Sequence, residues 1–342
     1  MKCKILIRTA GGKSKGKELG LGHIFRMINL AKELSPHKIF FLVEDFGGAR
    51  QIINDNGFKN VFSIKKNIDP NFDFEKTFDL ILKNKIDLII FDKYKINKTY
   101  VKKFKNFVKT TVISDLKNNA FKTDLVVNGF IGYKNKSLKN NSTTYLLGPS
   151  YQILDKRFQF FKRNKFTKNK KFKKLLITVG GFDENKIIEL ILKSIINYIE
   201  SFKITIILGP ITTKNKTIQK FEKMFPYNLR ILSSTNNMKN EISACDFGIC
   251  GGGLTSYEFA TLKKPFAIIC QNKHQVLTAK KWEEFRLCMN LGMPSSKTVS
   301  KIDFLMNKLI SNTIKLETKF PSYLDGKGGM RVAKKINTLL DC

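Results

Sequence analysis

Short apolar runs alternate along the chain with longer stretches whose apolar residues recur at three- and four-residue spacings. That rhythm predicts strands alternating with amphipathic helices, and so parallel α/β sheets. In the first half the runs at 3–8, 38–43, 61–64, 87–91, 111–113 and 125–127 read as strands. Helical patterns at 23–34 and 72–83 lie between them. A lysine-rich stretch near 160–173 follows and reads as a linker. The rhythm then restarts. Strands are expected at 174–179, 203–208, 229–232, 247–249 and 266–269, and helices at 185–199, 218–225, 238–245, 255–262 and 274–285. The expectation is two doubly wound, Rossmann-like domains, at 1–160 and 174–325, with a helical segment at 326–342 that could cross back onto the first. In open parallel sheets ligands bind beyond the carboxyl ends of the strands, so two such domains face to face would take a ligand in the cleft between them.

The length fits this division. A chain of 342 residues exceeds one ordinary domain and suits two. No stretch nears the roughly 20 continuous apolar residues that span a bilayer. The first residues lack the long apolar core and small-residue site of a secretory signal. The six cysteines, Cys3, Cys245, Cys250, Cys270, Cys288 and Cys342, form no CxxC pair, which argues for reduced thiols, a cytoplasmic location and no metal site.

Charge changes the picture less than its size suggests. The formal net charge is +34, from 62 basic and 28 acidic residues. The excess is nearly all lysine and is spread over the chain alongside abundant Asn, Ile and Phe, as in compositional drift. Attraction of anionic substrates, or peripheral contact with an anionic membrane, is the other reading. The run at 162–174 reads as a solvated linker, with headgroup contact the alternative. No basic patch is interleaved with aromatics in the manner that stacks bases, so nucleic acid is not an expected partner.

Four loops carry candidate chemistry. The first follows strand one. Gly11 to Lys17 match the opening of a phosphate-binding GxxxxGK loop, but Glu18 stands where a hydroxyl would hold magnesium and would repel the phosphates. The next fragment, GLGHIFR at 20–26, opens a helix. Gly22 lets backbone approach a ligand, and Arg26, one turn on, is expected to bind substrate with it. His23 falls in the first turn, where the helix dipole favours the neutral imidazole that a general base requires. A helix-start histidine bonded only to nearby backbone is the competing reading. The second loop, Gly180-Gly181-Phe182-Asp183, is either a tight turn or a small-residue loop over a ligand. The third, Gly251-Gly252-Gly253-Leu254-Thr255-Ser256-Tyr257-Glu258, leads into a helix expected to be capped by Thr255 or Ser256. Its bare N–H groups suit an anion, and Glu258, one turn in, suits ribose hydroxyls. The fourth places His274 and Gln275 at the start of the next helix, where their polar side chains are expected to face the same cleft and bind substrate. Asp92 and Asp115 sit at strand ends of the first domain, as orienting groups or as structural hydrogen-bond acceptors. Tyr94, beside Asp92, could donate to a sugar oxygen, and the two together are expected to orient the sugar.

In this order the motifs resemble the nucleotide-sugar hydrolases of pseudaminic acid biosynthesis, which act on UDP-2,4-diacetamido-2,4,6-trideoxy-β-L-altropyranose. The resemblance runs through Ile7-Arg8, GLGHIFR at 20–26, FDKY at 91–94, ISD at 113–115, LLGPSYQILDKRF at 146–158, GGFD at 180–183, CDFGICGGGLTSYE at 245–258 and the Gln275 segment, covering about 4–280. It implies a GT-B-like fold, related to the glycosyltransferase that makes lipid II, and hydrolysis without a metal or other cofactor. It maps the base onto His23, the family tyrosine onto Tyr94, and the UDP-holding loop and glutamate onto Gly251–Thr255 and Glu258. Three features depart from the family pattern: a longer, Gly- and Lys-rich stretch from Arg8 to His23, Ala10 in place of an acid, and His274 in place of the asparagine expected before Gln275. All three fall on the sugar side. The expected activity is hydrolysis of a UDP-sugar at the anomeric C–O bond. Glycosyl transfer from a UDP-sugar to a hydroxyl acceptor, lipid-linked among others, is the alternative.

Overall fold

The computed structural model describes residues 2–13, 20–94, 96–115, 120–160, 173–183, 185–316 and 320–341. The linker expected near 160–173 and the GxxxxGK residues Gly16, Lys17 and Glu18 lie largely or wholly outside them. The chain divides into two compact units, residues 1–159 with 325–342, and residues 160–324.

The first unit runs β1 (Lys4–Gly11), α1 (Gly22–Glu33), β2 (Lys38–Asp45), α2 (Ala49–Asp55), β3 (Val61–Ile64), α3 (Pro70–Asn84), β4 (Leu88–Asp92), α4 (Lys98–Lys102), β5 (Lys109–Ile113), β6 (Leu125–Asn128), β7 (Lys136–Asn140) and β8 (Thr143–Leu147). The second unit has β9 (Lys174–Thr178), α5 (Ile187–Ser194), β10 (Lys203–Ile207), α6 (Lys216–Met224), β11 (Leu229–Leu232), α7 (Met238–Ala244), β12 (Phe247–Cys250), α8 (Leu254–Thr261), β13 (Phe266–Ile269), α9 (Lys273–Glu284), β14 (Cys288–Gly292) and α10 (Ser296–Ile310). The last helix, α11 (Gly328–Leu339), returns to the first unit and packs on α1. There, Asn337 meets the His37 ring at 3.1 Å, just before β2. Gly328 is required at that return, because a Cβ would lie 2.1 Å from the Gln152 carbonyl oxygen.

The first sheet has the order β3-β2-β1-β4-β5-β6-β8-β7, and the second β11-β10-β9-β12-β13-β14. All pairings are parallel except β7 with β8. In each sheet the chain starts in the middle and winds both ways, so strand order reverses between β1 and β4 and between β9 and β12. Open α/β sheets bind ligands beyond the strand ends at such a reversal.

Both cores follow from composition. The second is aliphatic: Ile187, Ile188, Ile191 and Leu192 of α5 and Ile302, Leu305 and Met306 of α10 are buried against the sheet. The first is phenylalanine-rich on its α3–α4 side, where Phe74 and Phe104 pack at 4.9 Å and Phe91 meets Tyr100 edge-on at 5.9 Å.

Among these apolar groups lies a buried ion cluster. Arg8, in the middle of β1, is fully buried and donates from Nε and Nη2 to both Asp73 oxygens at 2.9 Å. Its Nη2 also reaches Glu44 of β2 at 3.3 Å. Asp73, Thr77 and Ile81 form the buried stripe of α3 at four-residue spacing, which aims the carboxylate at the strand. Tyr100 of α4 donates to the same carboxylate at 3.1 Å. Burial works against the Asp73 charge, but the hydrogen bonds and charge of Arg8 outweigh it and hold the carboxyl below its ordinary value. Its stabilising contribution is therefore complete above the unfolded-state pKa of about 3.9 and is lost as pH falls through the lower native value. Asp73→Asn should cost about 3–5 kcal/mol at neutral pH by stranding Arg8, and should flatten the acid limb of stability measured by chemical denaturation.

Candidate functional site

Each unit places its motif loops at the reversal of its own sheet. In the first, Thr9 of β1 lies in register with Asp92, the last residue of β4, and α1 opens just after the β1 loop. His23 is its second residue, and its Nδ1 stands 2.6 Å from Asp92 Oδ1. So short a contact with a carboxylate puts the proton on Nδ1 and leaves Nε2 as the basic nitrogen. Arg26, three residues on and so on the same helix face, donates to Asp92 from Nε at 2.8 Å and from Nη2 at 2.6 Å. It also donates from Nη1 to Asp115, after β5, at 2.6 Å. Burial opposes the Arg26 charge, but Asp115 and Asp92 outweigh it and hold its pKa well above the ordinary value.

The arrangement can move a proton. Asp92 is fully buried, while the His23 side chain keeps 13% exposure. Two carboxylates facing one guanidinium leave one negative charge beside the ring. His23, Asp92 and Asp115 lie close enough together to ligate a metal, with ligand atoms within 4.8 Å of one another. The Arg26 guanidinium already serves both carboxylates, so the donor set fits a cation poorly. A Cβ at Gly20 or Gly22 would meet no atom of the described residues within 4 Å.

Two expectations change. Arg26 was expected to bind substrate, yet it is buried and its guanidinium is committed to Asp92 and Asp115. Asp92 was expected to orient a sugar, yet its oxygens are taken up by His23 and Arg26, so it orients the imidazole. Tyr94 lies half-buried in the turn after β4.

In the second unit, Thr178 of β9 is in register with Cys250 of β12, and the loops after β9, β10, β12 and β13 interlock. Gly209 has φ +102°, and a Cβ there would sit 2.3 Å from the Gly180 carbonyl oxygen. Asp183 accepts from the Ile187 and Ile188 N–H groups at 2.8 and 2.9 Å. The GGFD carboxylate is thus a helix cap, with its pKa raised by burial, and Gly181 is a half-buried part of the turn before it.

The glycine triplet offers fewer N–H groups than its sequence suggests. Gly251 N–H donates to the Thr178 carbonyl at 3.2 Å, and Gly252 N–H to Gln275 Oε1 at 2.9 Å. The same Gln275 oxygen accepts from Gln271 N–H at 3.1 Å, so Gln275 ties two loops together and is not a free substrate ligand as expected. His274 is half-buried at the second position of α9. The helix begins at Leu254 with Gly253 as N-cap and no side-chain cap, which corrects the Thr255 or Ser256 cap. Instead, Ser256 donates back to the Gly253 carbonyl at 2.8 Å and accepts from the Trp282 indole N–H at 3.1 Å. The N–H groups of 253–255 are those at the helix start that lack intrahelical partners. Thr255 lies half-buried among them, and half-buried Glu258 lies one turn on. Burial, with Glu258 nearby, pushes the Cys250 thiol up, so it is no nucleophile.

The comparisons with known proteins agree with this architecture. No family model matches the chain. It is 29% identical over 289 residues to the uncharacterized protein MJ1062 of Methanocaldococcus jannaschii, covering 80% of this chain and 56% of that protein. The chain thus spans little more than half the length of that relative. It is 23% identical over 338 residues to the spore coat polysaccharide biosynthesis protein SpsG of Bacillus subtilis, covering 95% of this chain and 96% of that one. Among solved structures, MurG of Acinetobacter baumannii superposes with a TM-score of 0.65 at 15% identity, over 98% of this chain and 99% of that one. MnaA of S. aureus, solved with UDP, superposes with 0.63 at 14% identity, over 100% and 97%. The fold is GT-B. No helix among the described residues is long and apolar enough to cross a membrane.

The two carboxylates around Arg26 should not be equivalent. Asp92 is fully buried and Asp115 keeps a third of its side-chain exposure. Asp92→Asn should therefore cost about 3 kcal/mol or more, and Asp115→Asn distinctly less, in thermal or chemical denaturation.

Proposed function

We propose that the chain is a UDP-sugar-dependent enzyme that transfers the sugar to a hydroxyl acceptor, with His23 as general base. The observation that carries this reading is the 2.6 Å contact between His23 and buried Asp92 at the reversal of the first sheet. Nε2 of His23 takes the acceptor's proton as its oxygen attacks the anomeric carbon. The bond from that carbon to the diphosphate oxygen breaks, and UDP leaves with the electron pair. In the second unit, the start of α8 stabilises the diphosphate charge through the N–H groups of 253–255, and Glu258 takes the ribose hydroxyls. Tyr94 donates to a sugar oxygen. SpsG is a spore coat polysaccharide biosynthesis protein and MnaA was solved with UDP, which supports a nucleotide sugar as the substrate class. Fold likeness alone does not choose among the chemistries the fold hosts.

Water as the acceptor is the second reading. It is favoured by the ordered motif set around GLGHIFR and CDFGICGGGLTSYE, and by UDP-2,4-diacetamido-2,4,6-trideoxy-β-L-altropyranose as the substrate this set implies. UDP release separates the two readings. Release from that sugar nucleotide in EDTA without an acceptor supports hydrolysis. Release from UDP-N-acetylglucosamine or a relative only when a hydroxyl acceptor is added supports transfer. Under either reading, His23→Ala should lower turnover by about 10²–10⁴-fold and leave UDP affinity nearly unchanged. Glu258→Ala should do the reverse, weakening UDP binding about tenfold or more. Loss of UDP binding in His23→Ala would count against the base role.

A further inference from the structure

Asp92 and Lys93 are consecutive, and they enter two different charged clusters. Asp92 ends β4 and meets His23 and Arg26 on the α1 side. The Lys93 Nζ meets Glu44 at 3.2 Å and Asp73 at 3.4 Å in the Arg8 cluster. Successive side chains of an extended segment point to opposite faces, so the end of β4 is gripped by charge from both sides.

The two acids do not depend on Lys93 equally. Arg8 holds Asp73 through two bonds of 2.9 Å, but its reach to Glu44 is a single contact of 3.3 Å. Glu44 is buried at 7% exposure, and its other oxygen accepts from Asn67 N–H at 2.9 Å. Lys93 therefore completes the neutralisation of Glu44, and its own side chain is only 21% exposed. A buried carboxylate that lost this partner would draw in water or shift, and the peptide it would move is the one bearing Asp92.

Resting on the base role proposed for His23, we infer that Lys93 is a positioning residue for that base. Its ammonium, anchored between Glu44 and Asp73, fixes the end of β4 so that Asp92 meets the imidazole at hydrogen-bond distance. The acid–base pair is thus set by three layers of side chains: His23, then Asp92, then the Lys93 anchor behind it.

The test needs no substrate. The chain has three histidines, and a proton in a short N–H···O⁻ bond is strongly deshielded. Full-length protein labelled with ¹⁵N-histidine should show one downfield Nδ1–H resonance that His23→Gln removes. Lys93→Met, which keeps the aliphatic stem, should abolish that resonance or move it toward the ordinary imidazole position. Lys93→Arg should keep it. Glu44→Gln, which leaves the Arg8–Asp73 pair intact, should shift it in the same direction and serves if the methionine variant fails to fold. An unchanged resonance in Lys93→Met or Glu44→Gln, with or without a lower melting temperature, would overturn the positioning role. So would an equal loss in Lys93→Arg. Absence of the resonance from the wild type would overturn the His23–Asp92 pair itself, and with it the base assignment.

Discussion

The first unit depends on how one buried carboxylate is neutralised. Asp92 has no access to water, so its charge must be met by protein groups. Arg26 meets it through two nitrogens and His23 through one. That requirement fixes the first turns of α1 against the end of β4, because residues 23 and 26 must both reach the same acid. It also orients the ring of a histidine at a helix start, the group proposed as the base. Arg26 then draws in Asp115 from the neighbouring strand end, so two adjacent strand ends and one helix converge on a single guanidinium.

The second unit solves a different problem, that of exposing backbone N–H groups without leaving the loop loose. Two of the glycine N–H groups are spent inside the fold, on the Thr178 carbonyl and on Gln275. Those bonds, with the Trp282–Ser256–Gly253 chain, hold the start of α8 in place. The residues that pin the loop are not those proposed to face the diphosphate, and the loop is preorganised because it is partly satisfied already.

Much of the fold was legible because parallel strands buried on both faces read as continuous apolar runs, as in LIIF before Asp92. Three strands escaped notice, two of them edge strands and the third, Thr143–Leu147, the inner neighbour of one. Lys136–Asn140 has the sequence KSLKN with a single neighbour, and Cys288–Gly292 mixes Met and Asn on an outer position. The glycine loops and His23 could be found from spacing, since a strand-to-helix glycine turn is local. The roles of Arg26, Asp92 and Gln275 could not, because each is decided by partners 23 to 89 residues away. The buried stripe of α3 was equally opaque. Asp73 sits where periodicity expects an apolar residue, and its partners on other elements, Arg8 inside β1 first among them, explain it.

The most direct measurement compares Asp92→Asn with wild type, scoring UDP release per folded molecule and UDP affinity by calorimetry on the same samples. The asparagine keeps the shape but loses the carboxylate that orients the ring. Turnover should fall by on the order of 10²–10⁴-fold while UDP affinity stays within about twofold, because the proposed nucleotide site lies in the second unit. Undiminished turnover in Asp92→Asn would contradict the account, and so would a parallel loss of UDP binding.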